Sequence, residues 1–336
     1  MNVAIIGAGL QGRRRARAIH CQGLDRIEIV CDTKLEAAHR LALEVDAIAT
    51  DNWEKAVEDK RVNCVIVCTP PHMQATISIA ALTFGKHTLC EKPMGRSLED
   101  AAKIVSAALT NGARLKVGYN LRYHPGIVRI KKWCDQGDVG RLIFVRARYG
   151  IGGRPGFETE WRVQSQLSGG GELMDQGLHL LDLSRWFLGD FKEVFGITLT
   201  GFWPIAPTED NAFALLKSNH GQVASLHASW TQWTNLFSYE VYGTDGYCAA
   251  EGLGGSYGTE RATIARRQLL EPFAREVVEF RGEDQSWSEE WLEFRTAVLE
   301  GRQPSCKGSD GHEVLRLAQA IYKSAQEGRS VQVDRS

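Results

Sequence analysis

The chain has 336 residues, which is enough for two domains with buried cores. Hydrophobic residues make up 43% and charged residues 24%, a composition typical of globular proteins rather than disordered or fibrous ones. The formal net charge of −1 provides no general attraction to nucleic acid or acidic membranes, so binding through bulk positive charge is excluded.

The first predicted strand, residues 3–6, leads directly into a glycine-rich turn. In a dinucleotide-binding turn of this spacing, the first glycine makes the bend, the second lets the backbone approach a pyrophosphate, and the third lets helix and strand pack closely. The helix that follows presents free N–H groups to phosphates. Plain packing between a strand and a helix also uses such turns. The predicted cofactor contacts here are Gly7, Gly9, Leu10, Gln11 and Gly12.

A second apolar run, residues 27–31, ends at Asp32, about twenty residues beyond Gly12. An acid at this position would bind the adenosine ribose hydroxyls and would repel a 2′-phosphate. Lys34, two residues further on, could instead reach such a phosphate. The pattern therefore favours NAD over NADP, with Asp32 as the ribose ligand.

Strand-like and helical segments alternate up to about residue 122. The further strands are expected at 64–68, 87–90 and 115–118, with helices such as 74–84 and 98–111 between them. This alternation predicts a doubly wound parallel sheet in a first domain, residues 1–122. Ligands of such sheets bind at the carboxyl ends of the strands.

Two of those strand ends carry polar groups. Thr69, Pro70 and His72 follow the strand 64–68, where a nicotinamide ribose could lie, although prolines also end strands for structural reasons alone. Glu91 and Lys92 follow the strand 87–90, and a lysine there could place a cation near a reacting oxygen. The alternative for this pair is a solvated ion pair.

Beyond Pro125 the pattern changes to a second predicted domain, residues 123–336. A helix at 126–136, a strand at 142–149, a glycine-rich loop at 150–156 and a helix at 172–188 come first. β-rich runs then indicate one large antiparallel or mixed sheet. A final amphipathic helix at 311–326 is expected to pack back on the body. The β-rich runs lie near 192–200, 211–218, 222–231, 237–243, 246–251, 260–266 and 275–281.

The predicted helix 172–188 carries Asp175, His179 and Asp182, which share one face of a regular helix. Histidine is suited to exchanging a proton near neutral pH, and a carboxylate one turn away can orient it. The oxidation of an alcohol requires such a base. Any single Asp-x-x-x-His is more often an ordinary set of polar residues, and the neighbouring motifs are what favour the catalytic interpretation.

The loop before this helix contains Arg154, Trp161 and Arg162. Trp161 could stack on a sugar, while Arg154, Arg162 or Arg122 could bind a carboxylate or phosphate. This predicts an anionic substrate such as a nucleotide sugar or uronic acid. Surface arginines and an interface tryptophan are the structural alternative.

The eight cysteines are scattered without a C-x-x-C pair, so we expect reduced core residues and no metal site. No apolar stretch approaches the ~20 residues needed to cross a bilayer, and no charged-then-apolar leader precedes the first strand. These features favour a cytoplasmic protein.

The chain resembles the glucose-fructose oxidoreductase and inositol dehydrogenase family, Gfo/Idh/MocA, over nearly its whole length. The motifs that carry the resemblance are the glycine turn, Glu91-Lys92-Pro93, the stretch from Gly118 to Tyr123, and the Asp175-x-x-x-His179-x-x-Asp182 segment. One departure is Gln74, where family members often carry a histidine.

The resemblance implies an N-terminal Rossmann domain and a C-terminal α/β domain whose open sheet makes subunit contacts, giving a homo-oligomer such as a dimer or tetramer. It also implies oxidation or reduction of a sugar or cyclitol hydroxyl. Lys92 would polarise the oxygen, His179 would accept the proton and Asp175 would position both, leaving open whether Lys92 or His179 is the formal base. Asn120, Arg122 and Tyr149 join the predicted substrate contacts.

Two other functions fit the same scaffold. A glycosidase or isomerase could oxidise its sugar transiently and return the hydride to tightly held NAD. A non-catalytic dinucleotide-sensing regulator would have no need of Lys92, Asp175 and His179, and the chain lacks a basic patch for DNA.

Overall fold

A computed structural model describes residues 1–268 and 274–334 and divides the chain into two compact units. Unit 1 comprises Met1–Asn120, Gln166–Gly169 and Gln285–Leu315, and unit 2 comprises the remaining segments. The segment 285–315 thus belongs to the same unit as the N-terminal residues. The predicted domain division at residue 122 stays a prediction, and its second domain includes residues 269–273, 335 and 336, which lie outside the described part.

Unit 1 contains a six-stranded parallel sheet in the order β3-β2-β1-β4-β5-β6. The chain reverses direction across the sheet between β1 and β4, which is where doubly wound folds bind ligands. The prediction of a doubly wound domain is confirmed. The strands are β1 Asn2–Ile6, β2 Arg26–Cys31, β3 Ile48–Thr50, β4 Cys64–Val67, β5 His87–Glu91 and β6 Leu115–Gly118. The helices are α1 Leu10–Gln22, α2 Leu35–Val45, α3 Trp53–Glu58, α4 Pro71–Thr83, α5 Leu98–Thr110 and α9 Ser286–Leu299.

The central strands of this sheet are apolar along their whole length because both of their faces are buried. In β1, Val3 and Ile5 belong to a cluster with Leu41 of α2, whereas Ala4 and Ile6 belong to a second cluster with Ile77 of α4. Alternate side chains of one strand therefore hold helices on opposite faces.

The sequence prediction omitted helix α9. Its Trp291 and Phe294 are buried in the core cluster of Val3 and Ile5, and Trp287 is also buried. The spacing of these aromatic residues is that of one helix face. The predicted helix 311–326 corresponds to α10, Gly308–Glu327.

Unit 2 contains a nine-stranded sheet in the order β14-β13-β12-β11-β7-β10-β9-β8-β15. Its paired strands are antiparallel except for β7 and β10, which confirms the predicted large, mostly antiparallel sheet. The strands are β7 Leu142–Gly150, β8 Phe191–Leu199, β9 Asn211–Ser218, β10 Val223–Ser229, β11 Leu236–Gly243, β12 Gly246–Glu251, β13 Glu260–Arg266, β14 Arg275–Phe280 and β15 Val331–Gln332. The helices of unit 2 are α6 Pro125–Asp135 and α8 Leu178–Leu188, whereas the short α7, Ser165–Ser168, begins at the last residue of a unit 2 segment and continues into unit 1.

One face of this sheet is covered by α8, which packs on β7 and β10. On β8 and β9, by contrast, Ile197, Phe213 and Leu215 are exposed. These three side chains line a groove on the uncovered face together with Arg146 and Arg148. The alternation of buried and exposed residues along β9 explains why its sequence alternates.

All eight cysteines are free thiols, as predicted, but Cys21 is exposed. The expectation that all eight lie in the core is therefore wrong for Cys21, which follows the core-facing Ile19 on the outer side of α1. Within the described residues, no helix is long and apolar enough to cross a membrane.

Candidate active site

The glycine turn between β1 and α1 contains two glycines, Gly7 and Gly12, that the backbone geometry requires. Gly7 has a φ of +104°, and a Cβ there would collide with the carbonyl of Cys68. A Cβ on Gly12 would collide with the carbonyl of Gly7. The close approach of helix and strand therefore explains both residues.

Gly9 differs from both. Its φ is −70°, which any residue adopts, and a Cβ would have no atom within 4 Å. Among the residues that the structure describes, no side chain caps α1 here, and Leu10, its first residue, is about half exposed. A dinucleotide pyrophosphate at these N–H groups would use the space that a side chain at position 9 would fill.

Asp32 directly follows β2, and its hydrogen bonds join the turn after β1 to the turn after β2. Its carboxylate accepts the N–H of Ala8 at 2.8 Å and the N–H of Lys34 at 2.9 Å. Burial raises the pKa of the neighbouring Cys31 to about 12, and the charges of Asp32, Asp51 and Glu54 act in the same direction. Several carboxylates thus lie at the strand end that would meet a cofactor ribose, an arrangement that disfavours a 2′-phosphate.

The turn after β4 presents buried polar atoms. Thr69 Oγ1 and His72 Nδ1, like Gln11 Oε1 in α1, have no hydrogen-bond partner in the described part of the chain. Burial lowers the pKa of His72, and the charge of Arg96 acts in the same direction, so the imidazole is neutral at pH 7. Pro70 is the residue before α4. A strand-ending turn alone does not explain these atoms, whereas the polar groups of a dinucleotide would pair with them.

Gln74, the departure from the family pattern, has a structural role. Its buried amide donates to the Thr69 carbonyl at 3.1 Å and accepts the N–H of Gly95 at 3.3 Å. It therefore ties the turn after β4 to the turn after β5. The sequence identifies Gln74 as a departure from the family pattern, but it does not predict this link between the two turns.

The end of β5 is held by buried charges. Arg15 donates through Nε to the Glu91 carboxylate at 2.7 Å and pairs through Nη1 with Glu290 of α9 at 2.5 Å. All three side chains are buried. The Glu91 carboxylate accepts from Arg15, and Lys92 follows it as a half-buried residue. The predicted contact of Glu91 with the cofactor stays a prediction. The alternative of a solvated Glu91–Lys92 pair does not fit a buried Glu91.

In unit 2, the predicted continuous helix 172–188 is interrupted. Residues Leu173–Gly177 form a π-helical turn, and α8 begins at Leu178. Asp175 lies half-buried in the π turn, and His179 lies buried in the first turn of α8. Such turns are frequent at functional sites.

Asp182 and Arg122 form a buried pair with two hydrogen bonds, at 2.8 and 2.6 Å. The prediction that Asp182 joins Asp175 and His179 in one active-site wall therefore needs correction, because its carboxylate holds Arg122. Asn120, another predicted substrate contact, is buried in unit 1 and donates to Ser286 Oγ at 2.9 Å. Arg122 and Asn120, both predicted to contact the substrate, thus have hydrogen-bond partners within the chain.

The start of the π turn is fixed by Glu209. Its carboxylate accepts the N–H groups of Gly171 and Leu173, each at 3.1 Å, and the hydroxyl of Tyr322 at 2.7 Å. Burial raises the pKa of Glu209 although these donors oppose the shift. This buried anchor positions the segment that carries Asp175.

Tyr149 lies at the end of β7 beside the catalytic candidates. Its ring centroid is 6.0 Å from that of His179 in an edge-to-face arrangement and 5.4 Å from that of Phe237. Burial raises the pKa of Tyr149 well above its usual value, so it stays a neutral phenol. The structure therefore brings two of the predicted substrate contacts, Tyr149 and His179, together.

The two loop arginines, Arg154 and Arg162, form ion pairs with carboxylates of the chain. Arg154 is largely exposed and pairs with Glu160 at 2.5 Å. Arg162 also pairs with Glu160, at 3.2 Å, and lies 3.8 Å from the Asp175 carboxylate. Its guanidinium stacks 4.6 Å from the centre of the Trp161 ring. Arg162 and Trp161 thus belong beside Asp175.

Comparison with known proteins agrees with both units. Residues 1–119 match the family model described as an oxidoreductase family with an NAD-binding Rossmann fold, and residues 127–249 match the GFO/IDH/MocA C-terminal domain. The chain belongs to the Gfo/Idh/MocA family. As a member of this family it is an NAD-dependent oxidoreductase, and the predicted cofactor, NAD, is confirmed.

Proteins similar to this chain include levoglucosan and inositol dehydrogenases. The levoglucosan dehydrogenase of Pseudarthrobacter phenanthrenivorans is 24% identical, over 97% of this chain and 96% of its own length. An inositol 2-dehydrogenase of Rhizobium meliloti is 26% identical over 98% of each chain. A structure of levoglucosan dehydrogenase in complex with NADH shares the fold, with a TM-score of 0.92, full coverage of both chains and 23% identity.

Proposed function

We propose that this enzyme transfers a hydride between NAD and a hydroxyl-bearing carbon of a neutral sugar or cyclitol. The observation that carries the proposal is the π turn, which sets Asp175 and His179 together with Tyr149 and Arg162. The names of the relatives, levoglucosan and inositol dehydrogenases, support this substrate class.

The residues of unit 1 would hold the cofactor. The open space at Gly9 suits the pyrophosphate, Asp32 suits a ribose, and Thr69 and His72 offer buried polar atoms to the remaining groups. When bound, NAD supplies the acceptor or donor of the hydride.

The residues of this chain would transfer the hydroxyl proton that leaves or enters the substrate during hydride transfer. We assign its acceptance to His179, since a neutral imidazole takes a hydroxyl proton near pH 7. Asp175 would orient the substrate and stabilise the imidazolium, and Lys92 would polarise the substrate oxygen. Both His179 and Lys92 contribute to proton transfer in this proposal, and kinetics of their variants decide which of them is the formal base.

The charges around Asp175 favour an uncharged substrate. Arg154 and Arg162 both pair with Glu160, and Arg162 also faces Asp175, so both guanidinium groups already have an anionic partner. The anionic substrate suggested by these arginines stays a prediction. A uronic acid and a nucleotide sugar therefore belong in any substrate screen.

The test is a screen of levoglucosan, inositols, sugars, uronic acids and nucleotide sugars for NADH formation, followed by His179→Ala and Lys92→Ala. We expect each variant to lower kcat by about 10²- to 10⁴-fold with nearly unchanged NAD affinity. His220→Ala, at an exposed histidine, is the control. Near-normal kcat in both variants would contradict the assigned roles. Product formation without NADH accumulation would indicate instead the internally redox-cycling glycosidase or isomerase.

We further propose that the enzyme is a homo-oligomer joined through the uncovered face of the unit 2 sheet. Ile197, Phe213 and Leu215 are each at least two-fifths exposed on adjacent strands. Contiguous apolar surface of this kind marks interaction sites on proteins. The cytoplasmic location predicted from the sequence stays a prediction.

A further inference from the structure

We propose that Gln176 and Tyr257 form a subsite that binds one hydroxyl group of the substrate, separate from the hydroxyl that reacts. The inference rests on the proposed function, because the ligand is the sugar or cyclitol. Gln176 Nε2 donates to the Tyr257 hydroxyl at 3.3 Å. Sequence analysis assigned a role to neither residue.

The pair lies beside the catalytic candidates of unit 2. Gln176 is in the π turn, directly after Asp175. The Tyr257 ring centroid is 5.7 Å from that of Tyr149, whose ring is in turn 6.0 Å from that of His179. Tyr149 therefore contacts both His179 and Tyr257, so the pair belongs to the same cluster of side chains as the catalytic candidate.

Gln176 provides an acceptor. Its side chain is 8% exposed, and its Oε1 has no hydrogen-bond partner in the described part of the chain. A buried carbonyl oxygen without a donor is rare in native proteins, and such a group calls for a ligand or bound water. The hydrogen of an alcohol would pair with it.

Tyr257 provides a donor. Burial raises its pKa to about 12, whereas hydrogen bonds from Tyr149 and Gln176 act in the lowering direction. A bond lowers the pKa of a phenol when its oxygen accepts, because the phenolate is then stabilised. Because the Tyr257 oxygen accepts from Gln176 Nε2 at 3.3 Å, its own hydrogen is available to a further acceptor.

The subsite therefore offers one acceptor and one donor side by side. An alcohol both donates and accepts through one oxygen, so it matches the pair. The charges of Asp175 and Glu172 act to raise the pKa of Tyr257, and the same negative field disfavours a carboxylate ligand. A neutral hydroxyl is the group that fits.

The Tyr257 loop is held in place. The Gly254 N–H donates to the Gly258 carbonyl at 3.0 Å, and Asn235 Nδ2 donates to Ser256 Oγ at 2.6 Å. Gly254 and Gly258 have φ values of +76° and +79°, which favour glycine. The hydroxyl of Tyr257 is thus presented by a closed, tethered loop.

The experiment compares Tyr257→Phe and Gln176→Met with the wild type and with Tyr247→Phe. This control on β12 removes a half-buried phenol whose ring stacks on that of Tyr242. The probe is levoglucosan or myo-inositol, whichever gives more NADH with the wild type. We expect Tyr257→Phe and Gln176→Met each to raise KM about 3- to 10-fold, with kcat within about twofold and unchanged NAD affinity.

Monodeoxy analogues of the same probe identify the hydroxyl. One analogue should lose about 3- to 10-fold in kcat/KM with the wild type but lose little with Tyr257→Phe, since the partner is already missing. Equal losses in wild type and variant for every analogue would overturn the inference, as would a KM unchanged in both variants. Failure of the wild type to act on any sugar or cyclitol would instead overturn the proposed function.

Discussion

At the scale of single residues, the polar side chains at the edge of the parallel sheet fall into two groups. Gln74 and Glu91 are engaged by the chain itself, through Gly95 and Arg15. Thr69 and His72 have buried atoms that no described residue satisfies. We propose that the first group shapes the cofactor site and that the second group contributes to the affinity for NAD.

We propose that Asp32 determines the choice between NAD and NADP. We expect Asp32→Ala to raise the ratio of kcat/KM for NADP to that for NAD by at least about tenfold, because the carboxylate that binds the ribose and repels a 2′-phosphate is lost. Steady-state kinetics with one sugar and both cofactors measure the ratio. Asp245→Asn, at an exposed acid of unit 2, is the control. An unchanged ratio would remove Asp32 from the ribose site.

At the scale of elements, α9 is joined to the sheet by the buried triad of Arg15, Glu91 and Glu290. Replacing the shared Arg15 leaves two buried carboxylates without their partner, which costs about 3–5 kcal/mol of the free energy of unfolding. Arg15→Met should show this loss in urea unfolding, whereas Glu289→Ala, at an exposed position of α9, should change stability by less than about 0.5 kcal/mol. Equal stability of the two variants would show that the triad does not stabilise the unit.

The loop after β8 is held by Asp210. Its carboxylate accepts the N–H groups of Gly201, Phe202 and Trp203 at 2.9, 2.8 and 3.0 Å. Burial acts to raise the pKa of Asp210, but these donors and Asn211 outweigh it, so the pKa is lowered. The contribution to stability is therefore present above the unfolded pKa and is lost as the pH falls through the folded one.

Asp210→Asn should accordingly be less stable than the wild type by about 1.5–3 kcal/mol at pH 7. The difference should shrink as the pH falls below about 4, where the wild-type carboxylate begins to be protonated in the unfolded chain. Urea unfolding at several pH values measures it, with Asp245→Asn at an exposed position as the control. A difference that does not depend on pH would show that the charge of Asp210 is not what holds the loop.

Elements whose signals are local were predictable. The glycine turn, the parallel strands and the alternating strands of unit 2 each follow from a few neighbouring residues. Helix α9 had such a signal in Trp287, Trp291 and Phe294, and it was overlooked. The π turn had none, because a regular helix and an interrupted one share the same spacing of Asp175 and His179.

Contacts between distant positions were not predictable. Gln176 and Tyr257 are 81 positions apart, and Arg15 and Glu91 are 76 apart. Their pairing depends on strand order and register, which one sequence does not specify. This is why the buried pair of Asp182 and Arg122 was not predicted from the sequence.

At the scale of the whole molecule, the uncovered sheet face predicts the oligomeric state. Leu215 is 51% exposed, and a buried carboxylate at its position would oppose association. We expect Leu215→Glu to shift the protein towards monomer in size-exclusion chromatography with light scattering. Leu299→Glu, at a similarly exposed leucine of α9, should leave the mass unchanged. A monomeric wild type at micromolar concentration would contradict the prediction.

Gly9 shows that folding and function place different demands on one turn. An alanine there would have an ordinary φ and free space, and it would lower the entropy of the unfolded chain, so stability alone favours replacing the glycine. Gly7 and Gly12 offer no such choice. We propose that Gly9 lowers the stability of the fold slightly and leaves the space that a bound dinucleotide would occupy.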